Sequence, residues 1–178
     1  MLEQLKYFLK DYQANAGRQK MRMLLLWMNP SIIGILVYRI DRGFFLLFKD
    51  SWKYIRLIFL PIFYLIIVIS KIELPYKADI GYGLKILHST LGIVISEEAK
   101  IGNYLTLTGG NCIGINNRKG IFTIGNNCNL GANACIIGPC SLGDNIRIGA
   151  GAVVTKDFGS NIILTGVPAK EKTESTNL

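Results

Sequence analysis

The sequence predicts a mainly β protein, a left-handed parallel β-helix preceded by an α-helical N-terminal region. Three observations carry that prediction. Aliphatic residues recur every six positions, at Ile124, Leu130, Ile136, Leu142, Ile148 and Val154, and earlier at Ile101, Leu107 and Ile113. Glycine follows many of them, as Gly102, Gly114, Gly125, Gly131, Gly143 and Gly149. The residue four after each late aliphatic is small (Cys128, Ala134, Cys140, Ala152), with Ile146 the larger exception. A period of six suits neither a helix nor an isolated strand. It is the mark of a hexapeptide solenoid, in which three hexapeptides complete one triangular coil and stacked coils bury the core that no single coil can bury alone. Glycine after each aliphatic is expected at corners that need positive φ. Asn tolerates the same conformation and is frequent in this half, for example at Asn127 and Asn133.

The elements follow in order. Residues 1–20 read as a short polar helix or loose tail, without the apolar core of a signal peptide. Residues 21–71 read as two or three helices, broken at Asn29-Pro30 and again at Asp41 to Gly43. Glu73-Leu74-Pro75 enters the β-helix, whose coils run from about Ile80 to Val154. The beat slips between Ile86 and Ile95 and between Ile113 and Ile124, so a loop is expected to leave the prism at each place. Binding sites gather at such loops. The expected division is a helical, apolar and basic region 1–71, a β-helix domain 72–170 and a polar tail 171–178.

Charge is unevenly placed. The chain of 178 residues carries a net +8, and residues 1–71 hold 11 Lys and Arg against 4 Asp and Glu. Long aliphatic runs alternate with these basic residues, which disfavours nucleic acid as a partner. The run from Leu57 to Ser70 is 14 residues long and contains Pro61. That is short of the roughly 20 needed to span a bilayer. Contact of residues 21–71 with an anionic membrane surface and packing within an oligomer are both open readings. The four cysteines (Cys112, Cys128, Cys135, Cys140) form no CxxC, and with one histidine they make no zinc set. Free thiols suit a reducing cytoplasm, so the expected location is cytoplasmic, peripheral on the inner face of the membrane.

His88 is the sole histidine and sits at the first slip. An imidazole is suited to take a proton from a hydroxyl near neutral pH. The stretch ADIGYGLKILHSTLGIVIS (78–96) resembles the segment around the catalytic histidine of serine acetyltransferases and their polysaccharide-acetylating relatives, with one extra residue, Leu91. IGAGAVVTKD (148–157) and TGVPAK (165–170) look like the last coil and exit of hexapeptide acyltransferases, and VYRI (37–40) resembles a helix motif that precedes the β-helix in serine acetyltransferases. The resemblance implies that Glu73, fifteen residues upstream, orients His88 as a catalytic partner. It implies acetyl-coenzyme A as donor, with Gly114 and Asn116 near the thioester, Ala132 and Ala150 along the pantetheine arm, and Thr155, Lys156 and Lys170 at the nucleotide and its phosphates. It implies a homotrimer and no metal.

Two departures bear on the acceptor. Serine acetyltransferases carry Asp directly before the histidine, where this chain has Leu87, and an Arg-His pair where it has Gly120 and Ile121. A site built to hold zwitterionic serine would lose polar recognition. The expected acceptor is therefore a hydroxyl of a polysaccharide or lipid-linked glycan. Serine, in cysteine biosynthesis, is the alternative acceptor, and a non-catalytic membrane-associated β-helix scaffold is the alternative without catalysis. A carbonic anhydrase of this fold would need three histidines per metal.

Overall fold

The computed structural model describes residues 1–17, 28–115 and 122–172. Short strands stack into three sheets that form the faces of a prism. The first face orders Ile72–Glu73, Ile93–Ile95, Asn111–Ile115, Cys135–Gly138 and Val153–Val154. The second orders Asp79–Ile80, Ala99–Ile101, Phe122–Ile124 and Cys140–Leu142. The third runs from Lys85–Ile86 through Thr106–Leu107, Asn129–Leu130, Arg147–Ile148 and Ile163–Thr165 to Lys170–Glu171. Pairing within the coils is parallel and in register: Ile86, Leu107, Leu130, Ile148 and Leu164 lie directly above one another. Only Lys170–Glu171 turns back antiparallel, on Ile163–Thr165, so Glu171 closes the prism rather than opening a tail.

Both inward sets read from the sequence are buried. The aliphatics from Ile124 to Val154 are at most 4% exposed, and Cys128, Ala134, Cys140, Ile146 and Ala152 at most 3%. The glycines are required for a different reason from the one expected. Those after the aliphatics do not have positive φ. That conformation falls two residues later, on Asn127, Asn133 and Asn145, at φ 56 to 58°. Gly102, Gly125, Gly131 and Gly143 instead lie against the next coil: a Cβ on Gly125 would stand 2.6 Å from the Gly143 carbonyl, and one on Gly131 2.6 Å from the Ala150 nitrogen, whereas one on Gly114 would meet nothing within 4 Å. Because the clash is with backbone, Gly125→Ala is expected to cost about 1–3 kcal/mol, measurable as a lowered midpoint in urea.

Among the described residues three α-helices close the N-terminal end: α1 (Leu2–Ala16), α2 (Pro30–Phe48) and α3 (Trp52–Ser70). Asn29 caps α2, its side chain accepting from the Ser31 amide at 2.9 Å, and Pro30 occupies the first turn. The break expected at Asp41 to Gly43 is absent. Gly43 is a packing position, where a Cβ would lie 2.9 Å from Met1 Sδ, and the chain turns instead at Lys49–Ser51. Residues 18–27, at the start of the region read as two or three helices, lie outside the described residues.

The first coil of a solenoid has an open edge of unpaired backbone groups. Here polar helix side chains satisfy it. Arg39, fully buried, donates to the carbonyls of Ile80 (2.7 Å) and Gly81 (2.6 Å) and pairs with Asp11 at 2.8 Å. Asp11 accepts from the Leu84 amide at 2.8 Å. Asn15 bonds both the Leu84 carbonyl (2.8 Å) and the Ile86 amide (3.1 Å). The Tyr38 hydroxyl donates to the Ala78 carbonyl at 2.8 Å and accepts from the Ile80 amide at 3.2 Å. Burial pushes that phenol up to about 12, which keeps it a donor. The polar helix expected at residues 1–20 is thus no solvated tail, since its polar side chains are the cap of the β-helix.

Candidate active site

His88 lies on the edge where the third face turns into the first. The slip in the beat is a 3₁₀ turn, Ser89–Leu91, with His88 immediately before it and Leu91, the extra residue, exposed at the corner. The His88 amide donates to the Thr108 carbonyl at 2.9 Å, which seats its backbone on the coil above. That seat needs glycine. Gly109 (φ 137°) and Gly110 (φ 68°) adopt conformations L side chains avoid, and a Cβ on Gly109 would collide with the His88 carbonyl. Asn111, 2% exposed, locks the corner: its side chain accepts from the Gly109 amide at 2.9 Å and donates to the carbonyls of Gly131 (2.8 Å) and Ala134 (3.2 Å). Residue-by-residue reading missed Asn111 as a support. The doublet Gly109-Gly110 beside it was the available signal.

The same edge continues upward in small residues. The Asn133 amide donates to the Gly109 carbonyl, and the Gly151 amide to the Ala132 carbonyl, both at 2.9 Å. His88, Gly109, Ala132 and Ala150 therefore occupy successive levels of one edge. Nothing larger than a methyl group stands above His88 at these positions, which fits an extended, amide-containing arm laid against exposed backbone. Lys170, in the closing strand, pairs with Thr165 at the top of this edge.

The other predicted residues lie elsewhere. Glu73 is exposed on the first face, paired in register with Val94. It lines an open groove of about 420 Å³ with Val94, Ser96, Cys112 and Gly114. Among the described residues no hydrogen bond or ion pair joins Glu73 to His88. Thr155 and Lys156 follow Val154 at the top of the first face, and the Lys156 ammonium lies 5.4 Å from the Phe158 ring centre. Asn116, Gly120 and Ile121 lie outside the described residues. Cys112 and Cys135 are neighbours in register on the outer first face; burial and its neighbour raise the Cys112 thiol above its usual range. Burial likewise pushes the inward Cys140 thiol up to about 11. The described residues contain no group of three or more His, Cys, Asp and Glu placed to hold a metal ion.

Residues 122–156 match the family model for the hexapeptide repeat of succinyl-transferase. With the parallel prism and the small-residue edge above His88, that match defines an acyltransferase of the hexapeptide-repeat class. The chain is 35% identical over 162 residues to a serine acetyltransferase of Helicobacter pylori, covering 89% of this chain and 90% of that protein. It is 34% identical over 106 residues to a serine acetyltransferase of Synechococcus elongatus, there covering 58% of this chain and 43% of the relative. The solved serine acetyltransferase of Neisseria gonorrhoeae superposes with a TM-score of 0.82 at 28% identity, over 100% of this chain and 68% of that one. The chain belongs to the serine acetyltransferase family.

These relatives overturn the expectation of a glycan acceptor. The Helicobacter match runs through nearly the whole of both chains, so the likeness is not confined to the shared coils. That expectation rested on two departures, Leu87 and Gly120-Ile121, and gave them more weight than the likeness of the rest of the chain. Leu87 is 43% exposed and pairs only through its backbone, its amide donating to the Leu107 carbonyl at 3.0 Å.

Proposed function

We propose that this chain transfers the acetyl group of acetyl-coenzyme A to the hydroxyl of L-serine. The observation that carries the reading is the similarity to the Helicobacter serine acetyltransferase, which covers 89% of this chain and 90% of that protein. His88 is the general base: exposed on its edge, it removes the serine hydroxyl proton as the oxygen attacks, and returns a proton to the departing thiolate. Glu73, fifteen residues upstream on the first face, is assigned as its orienting carboxylate. Ala132 and Ala150 line the donor's pantetheine arm, Gly114 and Asn116 its thioester end, and Thr155, Lys156 and Lys170 its nucleotide and phosphates, where lysine serves as a point charge. The family's trimeric assembly supports a homotrimer here, and the open groove beside Glu73 leaves room for a neighbour. Serine-dependent release of the coenzyme A thiol from acetyl-coenzyme A, in purified protein, tests the reading.

Leu87 sets a second expectation. Without a carboxylate beside His88, serine is held by fewer polar contacts. A charged hydrogen bond is worth roughly 1.5–3 kcal/mol, so Leu87→Asp should lower the KM for serine on the order of tenfold. Steady-state kinetics of the variant checks this, with kcat expected to change less than KM.

A further inference from the structure

Helix α3 presents an apolar surface that the prism does not use. Of its 19 residues only Trp52 and Ser70 are buried. Ile58 is 77% exposed, Ile62 57%, Leu65 58% and Ile69 55%, and at helical spacing these four form one stripe. No charged residue occurs from Leu57 to Ser70, while Lys49, Lys53 and Arg56 precede the run and Lys71 follows it. The segment Pro30–Ser70 has a mean hydropathy of 1.9 in its most apolar window, of which 6% is buried.

The helix is anchored so that this surface faces outward. The Trp52 indole donates to Asp41 at 2.7 Å, and Arg56 pairs with the same carboxylate at 2.9 Å. Trp52 also stacks on Phe44, ring centres 4.9 Å apart.

We propose that α3 docks the protein on the surface of an anionic phospholipid bilayer, lying in the plane of the interface. Thirteen residues, Leu57 to Ile69, span about 20 Å as a helix, short of the roughly 30 Å hydrocarbon core. An apolar stripe flanked by lysine, with Tyr54 and Tyr64 exposed at 66% and 71%, is the pattern of an interfacial helix. Charge argues against the α3 of a second copy as the occupant. Pairing α3 with itself, parallel or antiparallel, sets basic ends against basic ends, and Asp50 is the only acid between Gly43 and Lys71. An anionic surface supplies the missing complement, and the cytoplasmic leaflet carries that charge. The opposite side of α3 is used within the chain: a cleft of about 500 Å³ runs between Leu60, Tyr64 and Val68 and the segment Glu73 to Tyr76.

The test is co-sedimentation of the full chain with phosphatidylcholine vesicles and with vesicles that also contain phosphatidylglycerol. Binding is expected to the anionic vesicles and to be far weaker to the neutral ones. Each basic residue near an anionic surface strengthens binding about fivefold, so the combined variant K49E, K53E, K71E should weaken it on the order of a hundredfold or more. Ile58→Ser with Leu65→Ser should abolish it, with unchanged circular dichroism. No binding to either vesicle overturns the proposal. So does loss of an oligomer in the Ile58→Ser, Leu65→Ser variant without loss of vesicle binding, which would assign the stripe to a second copy. Serine acetylation is assayed separately in solution, so failure of docking leaves the acceptor assignment standing, and the reverse also holds.

Discussion

His88→Ala is expected to lower acetyl transfer to serine by about 10²- to 10⁴-fold, the usual contribution of a positioned general base. The fold should survive the change, because the ring is exposed and the coil is held by backbone: the His88 amide to Thr108, and the Gly109-Gly110 corner fixed by Asn111. The residual rate should rise with pH as serine alkoxide becomes more available, because the proton acceptor has been removed. Glu73→Gln should cost less than His88→Ala in kcat/KM, since an orienting carboxylate acts only through the imidazole. Circular dichroism and the oligomer size of both variants separate a catalytic defect from a folding one. Full activity in His88→Ala would remove the general base from the account.

Arg39→Leu is the substitution expected to damage stability most. Removing one partner of a buried ion pair costs about 3–5 kcal/mol, because the other charge remains buried and uncompensated. Here Asp11 would be left inside α1, and the carbonyls of Ile80 and Gly81 would lose their donor. Burial already pushes the Asp11 carboxyl above its usual range against the pull of Arg39, so the stranded group would take up a proton more readily still. The expected outcome is a large drop in the urea midpoint, or failure to accumulate folded protein. Replacing the pair together, Arg39→Leu with Asp11→Leu, should recover part of the loss, because no charge is then stranded. An unchanged midpoint in Arg39→Leu would mean that the helical cap does not stabilise the first coil.

The prism was legible because its rule is one-dimensional. A six-residue period fixes which side chains point inward, and Ile124 to Val154 obey it without reference to distant contacts. The helical cap was not legible, because its partners are 28 to 73 residues apart in sequence and polar at both ends. Asp11, Asn15 and Arg39 look solvated until the open edge of the first coil is placed beside them. The glycine rule was right in position and wrong in cause, since sequence does not distinguish a positive φ from the close approach of the next coil. His88 could be found because it is the single histidine at a break in the beat, whereas Asn111, one of many asparagines, could not. The acceptor was misread for a related reason: Leu87 and Gly120-Ile121 are two local departures, and the likeness of the remainder of the chain carried more weight than those positions.

The measurement that bears most directly on the account is initial-rate thiol release from acetyl-coenzyme A as L-serine is varied. Saturable, serine-dependent release that disappears in His88→Ala is the result the account predicts. Release that does not depend on serine, or none at any serine concentration from folded protein, would contradict it.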